Sequence, residues 1–267
     1  MSIHPTAIVD AGAELGVGVE IGPYAVIGDR THLGDGCRIG PHAVILPYTR
    51  LGARCRVHAH AVLGDLPQDL SFQDAETFVE IGPECDIREG VTIHRGTKPG
   101  SSTTVGRGCL LMVNSHLGHN VHLGEQVILA NGVLLAGHVH VGDRAFLSGN
   151  VVVHQFTRIG RLALLSGGSG IGKDVPPFCI TAGIARNRIA GLNVIGLRRA
   201  GFTVEQRRQV KRAFDLVYRS GLNVKQALEA LRAEFAEGPA TEWTAFIEGS
   251  RRGLCPMGAD GGESEGD

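Results

Sequence analysis

Aliphatic residues recur at every sixth position along most of this chain, and that spacing restricts its fold more than any other feature. Ile3, Val9, Leu15, Ile21, Ile27, Leu33, Ile39, Ile45, Leu51, Val57 and Leu63 form an unbroken column, most of them followed by glycine. The column resumes at Ile81, Ile87 and Ile93, then runs without a gap from Val105 to Ile171. A period of six fits neither the 3.6 of an α-helix nor a simple two-residue alternation. It fits short parallel strands joined by tight corners, each pointing one aliphatic side chain inward. Three such strands make a triangular coil, and coils stacked about 4.8 Å apart bring residues one coil apart in sequence into contact. The fold class expected is mainly β, a parallel β-helix of hexapeptide repeats.

Composition agrees with a narrow interior: 39 of 267 residues are glycine and only 5% are aromatic, so the core is built from small and aliphatic side chains. The glycines behind the aliphatic column are expected to relieve corners that need positive φ. Interruptions near residues 65–79 and 97–104 are expected to leave the coils as loops, where function often sits. Asp174-Val-Pro-Pro177 closes the repeat, because prolines donate nothing to a further ladder. The β-helix is therefore expected over residues 1–190 and a helical domain over 191–253. Within the latter, Thr203 and Gln206 form a capping-box pattern ahead of the stripe Val210, Phe214, Val217 and Tyr218, which ends near Gly221. A second helix starts at Asn223 with Ala227, Leu228, Leu231 and Phe235, and a third carries Trp243, Phe246 and Ile247. The glycine-rich, acidic residues 254–267 are expected to be a disordered tail.

A net charge of −1 gives no whole-chain reason to expect nucleic acid or a membrane surface. No apolar run is long enough for a transmembrane segment. Cys37, Cys55, Cys85, Cys109, Cys179 and Cys255 show no C-x-x-C spacing, and no secretory signal opens the sequence, so reduced thiols in a cytoplasmic protein are expected. The first four cysteines share one phase of the repeat, where a small packing residue is needed. Gly167-Gly-Ser-Gly-Ile-Gly-Lys-Asp174 approaches a phosphate-binding loop, but Asp174 stands where Ser or Thr would ligate magnesium and Ile171 belongs to the six-residue column. These glycines are read as corners.

The chemistry-bearing residues are histidines: His116, His119, His122, His138, His140 and His154 crowd the third block of coils. Leu117 is the inward residue of Asn114-Ser-His-Leu-Gly-His-Asn120, so its polar neighbours are expected to face outward. One coil onward, Gly137 falls beside His119 with Gln155 beyond it, and His138 stacks on Asn120. Two mechanisms suit the cluster. A neutral imidazole can act as general base on a hydroxyl, with a Gly137 N–H stabilising the oxyanion. Alternatively, three histidines can bind zinc and leave a position for water, as in a carbonic-anhydrase-like protein. The plain alternative is a polar surface face.

His4-Pro-Thr-Ala-Ile-Val9, Gln68-Asp-Leu70, Ile93-His-Arg-Gly-Thr97, Asn114 to Asn120, His154-Gln-Phe156, Asp174-Val-Pro-Pro177, Gly191-Leu-Asn193 and Gly196-Leu-Arg-Arg199 occur in an order that resembles the UDP-N-acetylglucosamine O-acyltransferases of lipid A synthesis. The resemblance extends to about residue 253. It implies a left-handed helix, a homotrimer with sites between subunits, and transfer of a 3-hydroxyacyl chain from acyl carrier protein to the glucosamine 3-position of a UDP-amino sugar. No cofactor or metal is implied beyond the thioester donor. By the same resemblance His119 is the catalytic base, Asn120 its partner, and Gly137 the oxyanion donor. His116, His138, His154 and Gln155 line the sugar and acyl groove, and Asp69 and His94 contact substrate. Asn193 and Arg199 lie on the nucleotide side, Arg198 and Arg199 face the acidic carrier protein, and Gly167 gauges acyl length. The related N-acyltransferase carries a domain before its coils, whereas here the column begins at Ile3.

Three positions depart from the family pattern. Asn120 replaces a common aspartate, Ser71 a lysine and Ile195 a glutamate. They leave the 3-amino analogue of the UDP-sugar as the alternative acceptor.

Overall fold

The computed structural model describes residues 1–183 and 187–258. Its strands, most only two residues long, line up into three flat sheets that form the faces of a triangular prism. Face one runs from Ser2–Ile3 to Ile189–Leu192, face two from Ile8–Val9 to Gly170–Ile171, and face three from Glu14–Leu15 to Arg158–Ile159. Coil-to-coil pairing is parallel up to Cys179–Thr181, and it is in register, as in Ile3 with Ile21 and Leu117 with Leu135, except for a shift after Leu63 where the first loop leaves.

The six-residue column lines the interior. Ile27, Leu33, Ile45, Leu63, Ile87, Leu111, Leu117 and Leu135 are at most 1% exposed. The first coil has no neighbour beneath it, so Ile3 stays 41% exposed. Cys37, Cys55, Cys85 and Cys109 form an interior ladder in which each thiol donates to the carbonyl of a glycine on the next coil, at 3.1–3.2 Å. They are buried and free, as the phase of the repeat requires.

The glycine expectation needs a correction. Positive φ falls three residues after most of the inward aliphatics, often on ordinary residues such as Tyr24, His42, Asn120 and His138, and directly behind an inward aliphatic at Gly64. The other glycines directly behind the aliphatics are there for space: a Cβ at Gly34 would lie 2.7 Å from the backbone N of Ala53, and one at Gly52 would lie 2.5 Å from that of Pro83. Coils at strand spacing leave no room for a side chain at that point.

Chain leaves the prism between the strands Val62–Asp65 and Phe78–Ile81, and again between Thr92–His94 and Ser102–Val105. The second excursion therefore starts and ends earlier than expected, since the strand Ser102–Val105 takes up the end of the range 97–104. Face one continues past the prolines: Cys179–Thr181 pairs in parallel with Leu164–Leu165, and Ile189–Leu192 then pairs antiparallel and ends the sheet.

Among the described residues four helices follow: α1 (Val194–Arg199), α2 (Val204–Tyr218), α3 (Val224–Glu234) and α4 (Thr241–Glu248). Reciprocal capping boxes at Thr203/Gln206 and Asn223/Gln226 start α2 and α3. Helix α1 is too short to carry a periodic signal. The helices bury Trp243 against Phe214 and Tyr218. Arg161 fastens them to the prism, paired with Glu242 and lying over the rings of Phe178 and Phe202. Residues 254–258 are not the disordered start of a tail: Leu254 bridges to buried Asp174, Met257 bridges to Ile189, and Cys255 is fully buried. Residues 259–267 lie outside the described residues.

Candidate active site

On face two, the residue before each inward aliphatic points out of the prism, and Thr92, His116, Leu134, Val152 and Gly170 follow one another in register. Leu134 and Val152 are 43% and 49% exposed, so His116 stands at the end of an apolar stripe. A groove of about 310 Å³ lies here, bordered by Gln68, His116, His119, Gly137, Val152 and Gln155. The apolar floor went unread in the sequence, although its signal was present: Leu134-Leu135 and Val152-Val153 put a second aliphatic at the outward position.

His119 sits at the corner where face two turns into face three. It was expected to face outward, and it is only 7% exposed. It is not in the apolar interior. The first loop shields it, bringing Asp69 Oδ2 to 3.8 Å from its Nε2. On the other side His119 Nδ1 lies 3.2 Å from Asn120 Oδ1. That oxygen also accepts from the Thr97 N–H at 3.1 Å and the Thr97 hydroxyl at 2.9 Å. An NH₂ group could not accept from the backbone N–H, so the network fixes the amide orientation. Nδ1 therefore carries the ring proton, and the Nε2 lone pair faces Asp69 and Gly137.

Gly137 lies where the coil arithmetic puts it. A Cβ there would overlap His119 Cε1 and Nε2, so the imidazole occupies the space that a side chain would take. His138 donates its N–H to the His119 carbonyl across the coils. It follows Asn120 one coil on, as the coil count puts it, and its ring meets His119 edge-on at 5.1 Å and stacks on Phe156 at 4.8 Å.

Asp69 is held by the N–H and hydroxyl of Ser71, at 2.9 and 2.7 Å. These bonds, with smaller help from His119 and His138, hold its carboxyl below the usual carboxylate range. Ser71 thus keeps Asp69 ionised in a position where a lysine had been the family pattern. Burial pushes His94 and His138 down and takes His116 to about 4, with the neighbouring His94 adding to the last. His94 and His116 meet edge-on at 5.1 Å, and His116 Nδ1 pairs with Thr92 Oγ1 at 2.7 Å. The wall beside His119 is therefore neutral near pH 7. Gln155 borders the groove, whereas exposed His154 turns its Nδ1 towards the Gln155 carbonyl. Among the described residues, no group of three or more His, Cys, Asp or Glu is arranged to hold a metal ion.

A second groove, of about 830 Å³, lies against face one between Phe146, Leu164, Ile180 and helix α1, and Ile195 and Arg199 border it. Asn193 is 8% exposed and caps α1: its Oδ1 accepts from the Gly196 N–H, and its Nδ2 donates to the Leu162 carbonyl. Both polar ends of that side chain are engaged within the fold, a capping role that the sequence reading did not assign. Arg198 and Arg199 are exposed on α1. Gly167 is an exposed corner on the far side of face two from His119.

Residues 174–255 match the family described as UDP N-acetylglucosamine O-acyltransferase, domain 2, and residues 30–65 and 102–137 match the bacterial transferase hexapeptide repeat. A curated acyl-[acyl-carrier-protein]–UDP-N-acetylglucosamine O-acyltransferase of Anaeromyxobacter sp. (strain K) is 46% identical over 95% of this chain and 99% of its own. The chain belongs to the UDP-N-acetylglucosamine O-acyltransferase family. A family structure from Bacteroides fragilis superimposes with a TM-score of 0.89 at 39% identity, covering 94% of this chain and 99% of that one. One from Moraxella catarrhalis gives 0.91 at 36% identity, covering 96% and 100%. The prism is accordingly the left-handed parallel β-helix of this family. Among the described residues, no helix is long and apolar enough to cross a membrane.

A single copy of this family member keeps its two groups of candidate residues apart. Asp69, His94, His116, His119 and Gly137 gather at face two, whereas Asn193 and Arg199 border a groove on face one.

Proposed function

We propose that this chain moves a 3-hydroxyacyl group from acyl carrier protein to the glucosamine 3-hydroxyl of UDP-N-acetylglucosamine, as the first step of lipid A biosynthesis in the cytoplasm, with His119 as general base. The observation that carries this reading is the Nδ1–Asn120 contact of 3.2 Å, which leaves an unprotonated Nε2 at the wall of the groove. Nε2 takes the hydroxyl proton as the sugar oxygen attacks the thioester carbonyl, the Gly137 N–H donates to the oxyanion, and the C–S bond then breaks as the imidazolium gives its proton to the leaving sulfur, which departs as the carrier thiol. Asn120 brings no charge to the imidazolium that forms. Asp69, ionised and 3.8 Å from Nε2, supplies it. Leu134 and Val152 offer apolar surface to the acyl chain, and Gly167 adds no side chain to shorten its path.

A homotrimer completes the site in this reading. Its support is the separation of the two groups of residues, since a second copy would bring face one, with Arg199, towards the face-two groove. Arg198 and Arg199 are free to meet the acidic carrier protein. The neutral Asn120 favours one alternative acceptor, the 3-amino sugar, whose nitrogen attacks without a base as strong.

Incubation with UDP-N-acetylglucosamine, its 3-amino analogue and a panel of carrier-protein thioesters, followed by product mass and hydroxylamine treatment, separates an ester from an amide. An acylated, hydroxylamine-labile product is expected. Absence of acylated product from every donor overturns the proposal.

A further inference from the structure

The segment Arg95-Gly-Thr97 touches neither groove, yet it contacts the supports of both groups that face each other across His119 Nε2. The Arg95 guanidinium is buried, 7% exposed for the residue, and is held between two rings: 5.4 Å from the centre of Tyr48 on the prism and 5.8 Å from that of Phe72 on the first loop. Its Nη2 lies 3.7 Å from Asp74 Oδ1, on the same loop, and its backbone N–H donates to the Asp65 carbonyl where that loop begins. Phe72 in turn donates its N–H to the Asp69 carbonyl. A buried cation with an aromatic face on either side is a fixed point for the loop, because a planar guanidinium can stack on both rings and an ammonium cannot.

Two residues on, Thr97 gives both its N–H and its hydroxyl to Asn120 Oδ1, the oxygen that sets the His119 tautomer. The turn that carries it is closed by Ser101, whose N–H donates to the Lys98 carbonyl and whose Oγ accepts from the Lys98 N–H at 3.0 Å. Its Gly100 N–H reaches the Glu76 carbonyl, so the two loops are joined directly. Gly96 permits this path, since a Cβ there would lie 2.5 Å from the Ser101 carbonyl oxygen.

We infer that Arg95 and Thr97 are positioning residues, Arg95 holding the Asp69 loop and Thr97 the His119–Asn120 pair, so that one short segment sets the separation and tautomer on which transfer depends. The inference rests on the proposed role of His119. Losing the Thr97 hydroxyl leaves Asn120 Oδ1 with one donor where it had two, so the amide keeps its orientation but is held less firmly, and the Nδ1 contact that aims the His119 ring loosens. Losing the Arg95 stack frees the loop, which weakens sugar binding and takes the Asp69 charge from its place opposite Nε2.

The two residues therefore give different kinetic signatures. Thr97→Val is expected to lower kcat about tenfold with KM unchanged, and Thr97→Ser to restore it. Arg95→Lys is expected to lower kcat and raise KM for the UDP-sugar together, each several-fold, with faster proteolytic cleavage in residues 66–77. Wild-type kcat and KM in both Thr97→Val and Arg95→Lys would overturn the inference. So would a Thr97→Ser variant as slow as Thr97→Val, with equal losses of melting temperature, which would mark a purely structural role. His119→Ala, measured alongside, separates the two layers: if it is inactive while the positioning variants are normal, only this inference falls, and if it is active, the base assignment falls first.

Discussion

Gly137→Ala tests the catalytic corner with the smallest possible change. Gly137 does not have positive φ, so alanine is tolerated by the backbone, and its N–H remains available as a donor. The obstruction is local. The new methyl would overlap Cε1 and Nε2 of His119 and lie 3.0 Å from Nδ1, where an unstrained contact needs about 3.5 Å or more. The ring must withdraw by about 1 Å, which stretches its 3.2 Å bond to Asn120 and moves Nε2 from its place opposite Asp69. A misplacement of about 1 Å costs roughly a hundredfold in rate, or ~2.7 kcal/mol of transition-state stabilisation. The interior column is untouched, so the melting temperature should change by no more than a few degrees. Steady-state transfer from acyl carrier protein, paired with a thermal melt, measures both. A kcat within about threefold of wild type would refute the claim that His119 must rest against a bare glycine to work.

Two further outcomes follow from the same contacts. His116 titrates near 6.5 when unfolded and at about 4 when folded, so the unfolded chain takes up its proton first as pH falls; stability is complete above 6.5 and is lost between there and 4, by up to ~3 kcal/mol. Urea midpoints at pH 7 and 4.5 should differ less in His116→Asn than in wild type, and equal losses in both would contradict the assignment. Arg161→Ala removes a paired guanidinium that lies over Phe178 and Phe202, and should cost about 2 kcal/mol by loosening the helices from the prism. A melt with proteolysis checks this, and unchanged melting would contradict it.

Sequence periodicity carried the architecture because each coil repeats one physical requirement: an inward aliphatic, a small companion and a corner. The neighbour relation between His119 and Gly137 followed by counting, since no loop separates their coils. Counting fails wherever chain leaves the prism, as where Thr92 pairs with His116 and Arg56 with Asp86. Asp69, Arg95 and Thr97 belong to those excursions, and a contact made by a loop has no period to reveal it. Burial of His119 was missed for that reason, being a property of the loop above it rather than of its own hexad. Asn193 shows a different limit, since Asn before a single helical turn reads equally as a ligand contact or as a cap. The capping boxes of α2 and α3 were legible because two residues at fixed spacing signalled each start.

The central claim is that proton transfer runs through one ring nitrogen, and single-turnover acyl transfer by His119→Ala addresses it directly. The side chain bonds only to Asn120 among the described residues and fills no part of the interior column, so the variant should melt within a few degrees of wild type. Its rate should fall by roughly 10² to 10⁴ with substrate binding retained. A folded variant that transfers acyl groups within tenfold of the wild-type rate would contradict the account.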